Sequence, residues 1–151
     1  MNKVTVSAAI QVNESPTVVW DYTQDWRRRT EWDRSVVSAQ YLSEVSPVAI
    51  QVQGAGGLKF KVNYKTIDRP RLTTLAMTET NSIWLKGGGG SWKYEDKEGK
   101  TLWTQHNTLI LRDDLLGRVF RPLFAIILAI TTRHIMRTAK ANIENRRQIS
   151  L

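Results

Sequence analysis

The sequence predicts an α+β fold in which a strongly curved antiparallel sheet of six to seven strands wraps around one long C-terminal α-helix, with two short helices after the first strand. Two periodicities and one boundary carry the prediction. Apolar residues alternate with polar ones through residues 4–12 and through most of 35–112, the period-2 pattern of strands with one covered face. After Asp113-Asp114 the period lengthens to about 3.6 and holds nearly to the C-terminus. No linker, repeat or low-complexity tract interrupts the 151 residues, so a single domain over 1–151 is expected, long enough to enclose a core.

The elements follow in order. Val4, Val6, Ala8, Ile10 and Val12 form the apolar side of a first strand. Ser15-Pro16 then supplies a helix N-cap and a proline for the first turn, and Val18, Val19 and Tyr22 give that short helix its apolar side. Asp25 to Asp33, with two tryptophans and the run Arg27-Arg28-Arg29, is expected to hold a second short helix. Strands are predicted over 35–43, 48–53, 58–67, 71–80, 82–94 and 101–112, divided by turn signals such as Ser46-Pro47, Asp68-Arg69-Pro70 and Asp96-Lys97-Glu98-Gly99. In 58–67, Leu58, Phe60, Val62 and Tyr64 share one face and Lys59, Lys61 and Lys65 the other. In the final helix Leu116, Phe120, Leu123, Ile127, Ile130 and His134 recur at three- and four-residue steps and are expected to face the sheet, with Pro122 bending or restarting the first turns. Over 123–130 this helix is apolar nearly all round, more than one sheet contact requires.

Composition excludes several chemistries. There are no cysteines, which removes disulfides, thiolate metal sites and cysteine nucleophiles. Two histidines without a neighbouring carboxylate cluster make no metal site, and no motif calls for a cofactor. The net charge of +8 would fit nucleic acid or an anionic membrane. It is unevenly spread: residues 115–151 hold seven basic side chains (Arg118, Arg121, Arg133, Arg137, Lys140, Arg146 and Arg147) against Glu144 alone. A nucleic-acid surface needs exposed aromatics among its basic residues, and here the aromatics are assigned to the interior, so no nucleic-acid partner is expected. The N-terminus lacks a signal-peptide pattern, and the apolar run Leu123 to Ile130 is shorter than the ~20 residues that span a bilayer. A soluble cytoplasmic protein is expected.

Val12, Ser15-Pro16, Val19-Trp20, Asp25, Trp32 and Asp33 resemble the opening of the START-like, Bet v 1-like (SRPBCC) superfamily in its polyketide cyclase/dehydrase branch. Gly99-Lys100-Thr101-Leu102-Trp103 resembles the start of its last strand, and Leu116-Gly117-Arg118 with Arg121-Pro122 its entry into the closing helix. The resemblance runs over essentially the whole chain. It implies the helix-grip fold and an internal cavity for an apolar ligand, without implying one reaction.

Six tryptophans are the most unusual feature of the composition. Trp32, Trp84, Trp92 and Trp103, with Phe60 and Tyr64, are candidates to line a ligand pocket beneath Phe120, Phe124 and Ile127 of the helix; the alternative is that they fill a solid core. Gln105 and Asn107 share the strand face of Trp103 and are candidates to orient a ligand carbonyl or hydroxyl. Glu79 shares the face of Leu75 and Met77, and His134 lies on the apolar stripe of the helix; these two are the weak candidates for acid–base chemistry. Strand parity turns His106 to solvent if Trp103 points inward. Gly87 to Gly90 match no phosphate-binding pattern and read as a bend in the strand or a gap for ligand entry.

Three functions compete on these features. The first is binding of an apolar small molecule or lipid in the cavity, as a carrier, sensor or store. The second is a cyclase or dehydratase acting there on a polyketide-like or other carbonyl compound. The third is a basic module docking on an anionic membrane through Arg118, Arg121, Arg133 and Arg137.

Overall fold

The computed structural model describes the backbone of residues 1–150 and the side chains of residues 1–146, so Arg147 lies outside the described side chains. Strand β1 (Lys3–Val12) is followed by α1 (Pro16–Thr23) and a 3₁₀ turn (Trp26–Glu31). Six further strands follow: β2 (Val36–Ser43), β3 (Ala49–Gly54), β4 (Lys59–Asp68), β5 (Leu72–Thr78), β6 (Leu85–Lys97) and β7 (Lys100–Leu111). Helix α2 (Leu115–Ser150) closes the chain. The sheet has the order β1-β7-β6-β5-β4-β3-β2, antiparallel throughout. Strands 2 to 7 are therefore successive hairpins, and the first strand is recruited to the edge beside the last. This is the helix-grip arrangement.

Local chemistry accounts for the element ends. Ser15 caps α1, its Oγ accepting from the Val18 N–H at 3.4 Å, and Asp25 caps the 3₁₀ turn through the Arg27 N–H at 3.0 Å. The β6–β7 hairpin turns on Gly99 at φ 83°, whose N–H donates to Asp96 Oδ1 at 2.9 Å. The glycine run lies inside β6, next to a register shift between Leu85 and Gly87. There the backbones of β5, β6 and β7 approach so closely that a Cβ on Gly88 would stand 2.5 Å from the Thr108 carbonyl oxygen, and one on Gly89 2.7 Å from that of Leu75.

Two apolar clusters form. One joins α1, β1, β6 and β7 to the C-terminal half of α2 through Trp20, Trp32, Trp92, Tyr94, Trp103, Ile135, Met136, Ala139 and Ile143. The other gathers Trp26, Val36, Ile50, Val52 and Val62, with Phe60, Tyr64 and Leu75 packed against it.

Helix α2 overturns the predicted stripe. Leu116, Leu123, Ile127, Ile130 and His134 face solvent, Ile127 being 51% exposed, while Phe120 at the edge of the stripe packs on Trp84. The sheet is met by Phe124, Leu128, Thr132, Ile135, Met136, Ala139 and Ile143. At about 100° per residue these two sets lie on nearly opposite sides of the helix. Both have helical periodicity, so periodicity alone could not say which one the sheet would cover. Apolar character also extends beyond 123–130: Leu115–Arg146 contains an 18-residue window of mean hydropathy 1.6, only 11% of it buried.

Candidate functional site

The two clusters do not meet, and a cavity of about 160 Å³ lies between them, under α2. Its apolar wall comes from Phe60 and Val62 on β4, Leu75 and Met77 on β5, Trp92 on β6, and Leu128 and Ile135 on α2. Gly89 leaves part of the β6 wall without side chains. The volume is below the 300–1,000 Å³ usual for drug-sized ligands, but close to the ~150 Å³ of an engineered cavity that holds benzene. It therefore matches one ring, or one end of a longer molecule.

Polar groups are concentrated on one side. Arg29 and Asp33, both buried, form an ion pair at 2.8 Å across one helical step of four residues. The guanidinium is enclosed by three indoles, at 4.3 Å from the Trp26 ring, 4.5 Å from Trp32 and 4.6 Å from Trp92. Asp33 also accepts from the Ser35 N–H and hydroxyl. On the sheet, Trp92 Nε1 donates to Asn107 Oδ1 at 3.2 Å. Asn107 Nδ2 in turn donates to Gln105 Oε1 at 2.8 Å and to Thr132 Oγ1 of α2 at 3.2 Å. That network consumes the acceptor of Gln105 and leaves its donor unused: Gln105 is fully buried, lines the cavity, and its Nε2 has no hydrogen-bond partner. The indole N–H groups of Trp32 and Trp103 are likewise buried and unpartnered. An unmet buried donor costs about 1–3 kcal/mol, so this wall is suited to an acceptor-bearing guest such as a carbonyl, carboxylate or hydroxyl group.

The predicted site residues divide among several places. Phe60, Trp92, Gln105 and Asn107 line the cavity. Trp32 and Trp103 stand behind it in a triangle with Trp92, ring centroids 5.8–6.0 Å apart, and fill core. Tyr64 borders a separate hollow, its hydroxyl accepting from Trp26 Nε1 and donating to Gln24 Oε1, and burial pushes its phenol up to about 12. Trp84 is not in the cavity wall. It packs against Phe120 at 5.3 Å and Phe124 at 5.8 Å near the start of α2, making a second aromatic group beyond the cavity. Ile127 points to solvent because the opposite helix face meets the sheet.

The acid–base candidates are corrected outright. His134 belongs to the exposed stripe. Glu79 follows the end of β5 at φ 48°, 71% of its side chain exposed, because the strand stops one residue before the predicted parity would turn it inward. His106 faces solvent, as strand parity indicated.

Sequence reasoning missed Arg29 and Asp33 as site residues, placing Arg27-Arg28-Arg29 in an expected second short helix without assigning it to the site. A usable signal was present: an Arg–Asp pair at i,i+4 whose arginine is bracketed by Trp26 and Trp32. Its neighbours do behave as surface charges, Arg27 pairing with Glu44 and Arg28 with Glu31.

A larger hollow, about 800 Å³, opens between the start of α1, the β4–β5 turn and β6. Among its charges Arg71 pairs with Asp68 and Lys93 with Glu95, Asp96 accepts from the Gly99 N–H, and the Tyr94 hydroxyl is bonded to Thr23 and Gln24. It offers no buried polar atom in want of a partner, and the smaller cavity is the better candidate.

Comparison with known proteins gives a concordant picture. A family model described as polyketide cyclase / dehydrase and lipid transport matches residues 3–144. The chain is similar in structure to the Zhui aromatase/cyclase from a Streptomyces species, with TM-score 0.83, 12% identity and 95% of each chain covered. It is similar to a Thermus thermophilus protein with TM-score 0.81 at 13% identity, covering 94% of this chain and 98% of that one. A START superfamily protein from Mycobacterium smegmatis matches with TM-score 0.78 at 11% identity, covering 93% and 97%. At such identities the likeness is one of fold. No curated protein matches this chain.

Proposed function

Since this chain belongs to the polyketide cyclase/dehydrase and lipid transport family, within the START-like superfamily, we propose that it binds an apolar small molecule carrying one hydrogen-bond acceptor. The guest's ring or chain end occupies the cavity between sheet and α2, and its acceptor meets the amide N–H groups of Gln105. The observation that carries this reading is the fully buried, unpartnered Gln105 Nε2 in an otherwise apolar wall. Arg29 and Asp33, already paired with each other, hold one end of the cavity open and polar. Binding requires no free acid or base, and the role is that of a carrier, sensor or store.

Native mass spectrometry of freshly purified protein tests it, with an adduct of an acceptor-bearing apolar molecule expected. Gln105→Leu should weaken binding of that molecule about tenfold, the worth of one hydrogen bond at ~1.4 kcal/mol, with stability of the free protein within about 1 kcal/mol of wild type. An unliganded mass, together with no rise in Tm on adding aromatic ketones or fatty acids, would refute the proposal. The family also covers cyclase and dehydrase chemistry, and Asp33 is the carboxylate at the cavity. Turnover of a polyketide-like carbonyl compound that is lost in Asp33→Asn would make the same cavity an active site.

A further inference from the structure

The N-terminal half of α2 carries an apolar stripe that nothing in the fold covers. Leu116, Val119, Leu123, Ile126, Ile127 and Ile130 are each between 46% and 59% exposed. At about 100° per residue they fall within a sector of roughly 120°, opposite the side that meets the sheet. One turn further along, the same sector changes character: Ile130 is followed by Arg133, His134 and Arg137, all exposed. Arg118 and Arg121, also exposed, lie at the start of the helix but turned away from this sector, so Arg133 and Arg137 are the cations that share its face. From residue 115 to 143 there is no acidic side chain.

We propose that this stripe docks the protein on an anionic membrane surface, α2 lying in the plane of the headgroups. The aliphatic side chains enter the acyl boundary, and the arginines reach the lipid phosphates on their apolar stems. The charge pattern selects the occupant. A second copy laid parallel against this stripe would bring Arg133 and Arg137 against their own counterparts, with no carboxylate between residues 115 and 143 to separate them. The side chains also lack the character of a specific protein interface, which is rich in Trp, Tyr and Arg at its centre rather than Leu and Val. A fluid, featureless apolar phase with anionic edges satisfies both the shape and the charge. Spanning the bilayer would require the opposite face to leave the sheet, where Phe124 packs on Trp84 and Leu128 and Ile135 wall the cavity.

Flotation with lipid vesicles tests this, using the whole protein. Binding is expected at low salt to vesicles of phosphatidylcholine mixed with phosphatidylglycerol, with release at high salt and weak binding to phosphatidylcholine alone. Each arginine at an anionic surface is worth about fivefold in partitioning, so Arg133→Gln with Arg137→Gln should lower it about 25-fold. Ile126→Ser with Ile130→Ser should abolish it. All four side chains are exposed, so circular dichroism and Tm should match wild type. Three results would overturn the proposal: no flotation of the wild type with anionic vesicles at low salt, flotation indifferent to salt and to the arginines, or a concentration-dependent dimer in sedimentation velocity that the isoleucine pair abolishes. The first comparison needs no variant, and none of them depends on the cavity being occupied.

Discussion

Replacing Arg29 by Met tests how the cavity is held. Arg29 and Asp33 are buried, and their side chains meet at 2.8 Å. Unit charges about 4 Å apart attract by about 4 kcal/mol at an effective dielectric near 20, which roughly offsets what it costs to desolvate them. Removing one partner forfeits the attraction while the cost of the other remains, so a loss of about 3–5 kcal/mol is expected for Arg29→Met. Its guanidinium also contacts three indole faces within 4.6 Å, and that loss is only partly met by the sulfur and methylenes of Met. The double variant Arg29→Met with Asp33→Leu should recover part of the stability, because no unpaired charge is left behind. It should stay about 1–2 kcal/mol below wild type, since the Ser35 N–H and hydroxyl lose their acceptor. Urea denaturation followed by tryptophan fluorescence measures all three, since Trp26, Trp32 and Trp92 surround the changed residue. A cost under 1 kcal/mol for Arg29→Met, or a double variant as unstable as the sum of the singles, would refute the reasoning.

Two further outcomes follow from packing and from buried phenols. Gly88→Ala would set a methyl 2.5 Å from the Thr108 carbonyl oxygen; because that neighbour is backbone held between two strands, a loss of about 1–3 kcal/mol is expected by thermal unfolding, and an unchanged Tm would count against the close approach. Burial raises the phenol of Tyr64 to about 12 and pushes that of Tyr94 up as well. A folded pKa above the unfolded value of ~10 gives stability that is complete below pH 10 and is lost as pH rises through 12, about 2–3 kcal/mol for Tyr64 alone. Tyrosinate absorbance should thus rise together with alkaline unfolding, and free titration of all four tyrosines near pH 10 in a folded chain would contradict the burial.

Much of the architecture was legible because strand alternation and capping are local. The β1 pattern, the Ser15-Pro16 start of α1, the hairpin series and the switch of period after Asp114 each depend on neighbours within a few residues, and the structure has all of them. Strand parity carried further, placing Gln105 and Asn107 on the cavity side and His106 outside. Parity failed at Glu79, where the strand ended early. It had nothing to say about Arg29, whose burial depends on indoles brought from Trp92 on β6 as well as from its own turn.

By itself, then, the chain's pattern determined the elements, their order and their two-faced character, since these follow from backbone preferences and spacing. It did not determine which apolar stripe of α2 the sheet would cover. Both stripes satisfy the same helical period, and the choice between them is made only in tertiary packing, where α2 crosses β1 and β7. That crossing carried Leu128, Thr132 and Ile135 inward to the cavity and left Leu123, Ile126 and Ile130 facing solvent.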